Sequence, residues 1–203
     1  AMLHTNPHAM AIAQPLAHPL RPGQVPGPLH GIPVVLKDVF ATADDMLTTS
    51  GSIAMVDNVA VEDAFIVQQM RDAGMVILGK GNLSEWSNYR GNGMPNGWSS
   101  RGGQTVNPYV TTHNAWGSST GPAVAVAASY TPLAVGAETD GSIICPASST
   151  GVVGHKPTGG LIPNAGQWPI AHGAALRYLC TGPLARRAED LWPLVSTLAG
   201  PDP

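Results

Sequence analysis

Apolar positions along the chain fall into a few recognisable runs. Unbroken, β-branched stretches read as strands covered on both faces: Gly31–Asp38 (GIPVVLKD), Met75–Leu78 and Leu133–Ala137, with a shorter one at Gly151–Gly154. Val61–Ala73 has helical spacing instead. Ala64, Phe65, Val67 and Met70 share a face, Asp63 stands in the first turn, Arg71 near the last, and Gly74 is a stop signal. Residues 61–80 therefore read as a helix–strand unit of an α/β protein. Further helices are predicted over Pro7–Leu16, over Pro122–Ser129 with proline in the first turn, and over Glu189–Ala199 before Gly200 and Pro201. RPGQVPGP, residues 21–28, is a linker by composition, and Ser84–Tyr109, rich in Gly, Asn, Ser and Trp, reads as a long loop of the kind that often carries function.

Composition narrows the classes. With 203 residues, 43% hydrophobic and 11% charged, the chain can bury a core, and residues 1–203 are expected to form a single domain. A net charge of −3 offers no electrostatic case for nucleic acid or an anionic membrane. No run approaches the roughly 20 apolar residues of a membrane span, and no signal-peptide pattern opens the chain, so a soluble, cytoplasmic protein is expected. Cys145 and Cys180 read as two buried thiols in a reducing compartment. His4 and His8 stand at helical spacing without further ligands nearby, so neither a metal nor a cofactor is expected.

The candidate chemistry lies in two small-residue serine clusters, Gly117-Ser118-Ser119-Thr120-Gly121 and Asp140-Gly141-Ser142. The alanine-rich segment between them has room for one helix and one strand. The start of that helix points free N–H groups at the first cluster, and the strand delivers the second in a turn. A serine hydroxyl needs a base to become a nucleophile. His30, His113, His155 and His172 lie mid-chain, but none sits in a G-x-S-x-G elbow, and each reads as structural or surface. Lys37 ends an apolar run, where burying an ammonium is costly. It either pairs with Asp38, snorkels to the surface, or serves as a neutral base. The last requires its pKa to fall from near 10.4 towards 7, on the order of 4 kcal/mol of burial and neighbour effects.

Five segments in order, GPLHGIPVVLKD, GKGNLSEW, GGQTVNPY, GSSTG and AETDGSIICPASSTGVVGHKPT, resemble the amidase signature family over roughly residues 26–200. These are serine hydrolases that cut carboxylic amides with a Ser–cis-Ser–Lys triad. ETDGSI and SEW…GWSSRGGQT look most like peptide amidases, whereas PNAGQWPIAHGAALRYLCTGPLARRAEDL is more similar to the fatty-acid amide hydrolase branch. The resemblance implies a mixed β-sheet flanked by helices and no cofactor or metal. It implies Lys37 as base, Ser118 as bridging serine and Ser142 as nucleophile, with the backbone N–H groups of Thr139, Asp140, Gly141 and Ser142 as oxyanion hole. The implied substrate is a small-molecule or peptide amide. Trp86, Met94, Trp98 and Trp168 either line an apolar site for it or pack in core and loops. Thr120, Pro122, Asp140 and Ile144 depart from the family pattern; many members carry glycine in place of Asp140 and arginine in place of Ile144. Members are longer, so the resemblance implies a domain truncated at its C-terminus, with a homo-oligomer or a missing C-terminal partner expected. The competing readings are a non-catalytic subunit of the same descent, an amidotransferase-type subunit without the basic charge for tRNA, and a phosphate loop at GSSTG lacking its lysine.

Overall fold

Strict alternation along the central strands divides the core in two. In the computed structural model, which describes residues 1–18, 25–89 and 91–203, β2 (Pro33–Lys37) lies between β3 (Val76–Gly81) and β6 (Leu133–Glu138), parallel to both. Val34, Leu36, Leu133 and Val135 point to one face, with α2 (Phe65–Asp72) and α5 (Leu191–Leu198) packed over them. Val35 and Ala134 point to the other, under α3 (Thr120–Ala127) and α4 (Ile144–Thr150). Both faces are roofed, which is why the strands read as unbroken apolar runs. β1 (Met2–Thr5) extends the sheet antiparallel to β3. β8 (Cys180–Ala185) runs antiparallel to β6, and β7 (Val153–Gly154) antiparallel to β8. Among the described residues the order is β1-β3-β2-β6-β8-β7, a mixed sheet flanked by helices, as the family resemblance implies. α1 (Ala9–Leu16) follows β1, and β4 (Trp98–Ser99) pairs with β5 (Gly103–Gln104) in a separate ribbon.

Several boundaries differ from the sequence reading. α2 begins at Phe65, because the Ala64 N–H is already bound to the Ala41 carbonyl at 2.9 Å. Asp63 therefore lies outside the first turn; it takes the Ala43 N–H at 2.7 Å and pairs with Arg71 at 2.8 Å. Ile66, absent from the predicted face, is buried, while Phe65 is only half-buried. At the other end Gly74 (φ +76) closes a Schellman motif, with its N–H on the Arg71 carbonyl (2.9 Å) and the Met75 N–H on the Met70 carbonyl (3.0 Å).

β1, α4 and β8 had no sequence signal. β8 reads CTGPLA, without a β-branched run, and α4 reads ICPASST, poor in helix formers. His4 belongs to β1 and shares no helix face with His8; it accepts the Leu47 N–H (3.2 Å), while His8 meets Asp45 (2.7 Å). Both cysteines are free, Cys180 buried but Cys145 only half-buried. Residues 21–24 of the expected linker lie outside the described residues. No helix among the described residues is long and apolar enough to cross a membrane.

Candidate active site

Lys37 is the last residue of β2, and the two-residue period places it on the face of Val35, beneath α3. Ser118 stands just before α3 on that side. The fully buried Lys37 Nζ donates to Ser118 Oγ at 2.7 Å and to the Ala137 carbonyl at 3.0 Å. Burial pulls its pKa down to about 7, with Glu138 opposing the shift. Asp38 alternates to the opposite face and does not pair with Lys37. Its carboxylate takes the Thr49 N–H and hydroxyl and lies 3.9 Å from Lys80 Nζ and 3.7 Å from Arg101. Lys80, a second buried lysine that sequence reasoning passed over, donates to the Phe40 carbonyl (2.7 Å) and Thr48 Oγ1 (3.0 Å). Burial lowers its pKa to about 8, against the pull of Asp38. The signal for Lys80 was the same as for Lys37: a lysine within an apolar strand.

The second cluster leaves the end of β6. The buried Glu138 carboxylate gathers the N–H groups of Gly141 (2.9 Å), Ile143 (2.6 Å) and Ile144 (2.9 Å). Lys156 Nζ caps the Thr139 carbonyl at 2.8 Å. This ties the turn that presents Ser142. The Ser119 N–H reaches the Ser142 carbonyl at 2.9 Å, and the Ser84 N–H the Ser118 carbonyl at 3.1 Å, so the two clusters meet. The Gly117–Ser118 peptide is cis, and a Cβ on Gly117 would collide with Ser84 Oγ. Ser118 is fully buried, whereas Ser142 reaches a cavity. The site thus sits at the carboxyl ends of neighbouring parallel strands, where open α/β sheets hold their ligands.

Within the segment expected to form the oxyanion hole, the Gly141 N–H donates to the Glu138 carboxylate at 2.9 Å. The N–H groups of Thr139, Asp140 and Ser142 donate to nothing within the chain among the described residues.

The cavity, about 580 Å³, is walled by Trp86, Tyr89, Trp168 and Leu179, with Asp140 and Ser142 at its side. Of the four side chains proposed for an apolar site, Trp86 and Trp168 line it; Met94 and Trp98 are not among its lining residues. Trp86, Ser87 and Asn88 are left-handed (φ +52, +54 and +69), a conformation costing roughly 1–3 kcal/mol at each non-glycine residue. Ser50, itself at φ +50, clasps both walls: its carbonyl takes the Trp86 N–H (2.9 Å) and its hydroxyl donates to the Trp168 carbonyl (3.2 Å). Tyr89 and His172 were missed as lining residues, since nothing in the loop pattern marks them. His113 and His155 are exposed, and His30 sits beneath Gly74. Among the described residues no His, Cys, Asp and Glu group could hold a metal ion.

The family model described as Amidase matches residues 1–203. A probable amidase of Arabidopsis thaliana is 46% identical over 175 residues, which is 86% of this chain and 33% of the plant protein. Human fatty-acid amide hydrolase 2 is 39% identical over 177 residues, 86% of this chain and 32% of its own. The crystal structure of peptide amidase from Stenotrophomonas maltophilia superposes with a TM-score of 0.91 at 46% identity, covering all of this chain and 40% of that one. The chain therefore spans between a third and two-fifths of the length of such relatives. A family match over every residue, together with this superposition, shows that the chain belongs to the amidase family.

Proposed function

We propose that this chain carries the reacting groups of an amide hydrolase, with Ser142 as nucleophile, Ser118 as proton bridge and Lys37 as base. The observation that carries the reading is the 2.7 Å contact between a buried Lys37 amine and Ser118 Oγ, beside the turn that presents Ser142 to a cavity. With pKa near 7, a large share of Lys37 is uncharged at neutral pH, and the same contact then runs from the Ser118 hydroxyl to Nζ. Ser118 passes its proton to Lys37 as it takes the Ser142 proton, and Ser142 Oγ bonds to the amide carbon. The oxyanion turns to the N–H groups of Thr139, Asp140 and Ser142, each worth about 3 kcal/mol if well aimed. The C–N bond then breaks, the amine leaves with the proton returned through Ser118, and water cleaves the acyl-enzyme, restoring Ser142.

Peptide amides and fatty-acid amides, the substrates named for its relatives, are the first to assay. The decisive experiment is labelling with a fluorophosphonate probe. Wild type should react at Ser142. Ser142→Ala should lose labelling and turnover, and Lys37→Ala should lose several orders of magnitude in rate. Folded wild-type protein that stays unlabelled would favour a non-catalytic subunit of the same descent.

A further inference from the structure

The cavity beside Ser142 joins two features that select for positive charge. Trp86, Tyr89 and Trp168 line it with ring surface to spare, Tyr89 being 59% and Trp168 38% exposed. Asp140, two residues before Ser142, lines the same cavity, and among the described residues its exposed carboxylate has no ion pair or hydrogen bond. Lys156, which reaches the same turn, is committed to the Thr139 carbonyl and stands 3.8 Å from Glu138. No lysine or arginine among the described residues lines the cavity. Aromatic faces attract a cation through their quadrupole, and a neighbouring carboxylate adds direct Coulomb attraction. The same carboxylate repels an anionic group. The Ser50 clasp fixes the backbone of Trp86 and Trp168 before any ligand arrives, which limits the main-chain ordering that has to accompany binding.

We propose that this cavity recognises a cationic group of the substrate, with Asp140 as counter-ion and Trp86 and Trp168 as aromatic walls. The favoured substrate class is then an amide that carries an ammonium or guanidinium near the scissile bond. The inference rests on the hydrolase reading for the word substrate, but the cation site stands on its own geometry.

The test is equilibrium binding to the full chain, read by tryptophan fluorescence, of three probes of similar shape: phenethylamine, phenethyl alcohol and phenylacetate. The amine should bind about tenfold tighter than the alcohol, and the carboxylate most weakly. The amine's advantage should shrink as salt is raised. Asp140→Asn should cut the amine-to-alcohol ratio several-fold, leaving the share of the aromatic walls, and Asp140→Glu should keep most of it. Equal affinity for amine and alcohol in wild type overturns the proposal, as does absence of binding, or a ratio that Asp140→Asn leaves unchanged. Binding is read without turnover, so the two readings fail separately. Labelled Ser142 without amine preference sinks the cation site alone. Amine preference without labelling supports the cation site and overturns the hydrolase.

Discussion

Lys37 is one of two buried lysines, with Lys80, that make the stability of this molecule depend on pH. Unfolded, its amine titrates near the ordinary value of about 10.4; folded, burial holds it at about 7. Between those values the unfolded chain binds the extra proton. The contribution of Lys37 to stability therefore rises with pH from about 7 to about 10, and below about 7 the buried charge exerts its full penalty. Lys37→Met removes that dependence. Its melting temperature relative to wild type should be most favourable at acid pH, and the advantage should decline towards about pH 10; a constant difference would show that the amine is not shifted. Hydrolysis, if Lys37 is the base, should rise through an apparent pKa near 7 for the same reason. That a lysine at this position is unusual was legible in the sequence, since a cation closes an unbroken apolar run. Its partner was open from the residues alone, which offered Asp38, and Ser118 was implied only by the family resemblance. Asp38 is adjacent in sequence but, with alternating side chains, lies on the other face of β2, where Lys80 and Arg101 meet it.

Among the elements, the turn after β6 depends on one carboxylate. Glu138 satisfies three N–H groups, and removing it would leave the buried Ile143 N–H and the part-buried Gly141 and Ile144 N–H groups without that acceptor. Glu138→Ala should cost on the order of 3 kcal/mol or more, whereas Glu138→Gln, which keeps a neutral acceptor, should cost less. Urea midpoints at unchanged m-value would measure both. Gly74 makes a second test. Alanine there must adopt φ near +76 and bring its Cβ to 2.7 Å from His30 Nδ1, so Gly74→Ala should lower stability by about 1–2 kcal/mol. An unchanged midpoint would mean the helix ends some other way. Gly74 was legible as a stop, because a glycine directly follows a periodic segment. The start of α2 was not, because the Ala41 carbonyl that captures the Ala64 N–H lies in a distant loop. β8 escaped notice for a related reason: CTGPLA is held as a strand by six register pairs with β6, and its own propensity is poor.

On the scale of the whole molecule, two apolar layers share one sheet, and the site lies at the carboxyl ends of its parallel strands. Outside those layers Val61 is 93% and Trp192 72% exposed. Apolar side chains exposed singly in this way are ordinary on a protein surface and do not by themselves mark a docking face. Local order alone decided much: alternating and helical periods, glycine stops, the two serine clusters and an anomalous lysine are properties of neighbouring residues, so they could be read without coordinates. Family membership was legible for the same reason, as ordered short motifs. What only the tertiary structure decided are relations between distant residues. These are the capture of the Gly141 N–H by Glu138, the buried Asp38–Lys80 pair, and the Ser50 clasp on two tryptophans. Each depends on which strands become neighbours and which face a side chain meets there, and such contacts arise from the packing of the whole sheet.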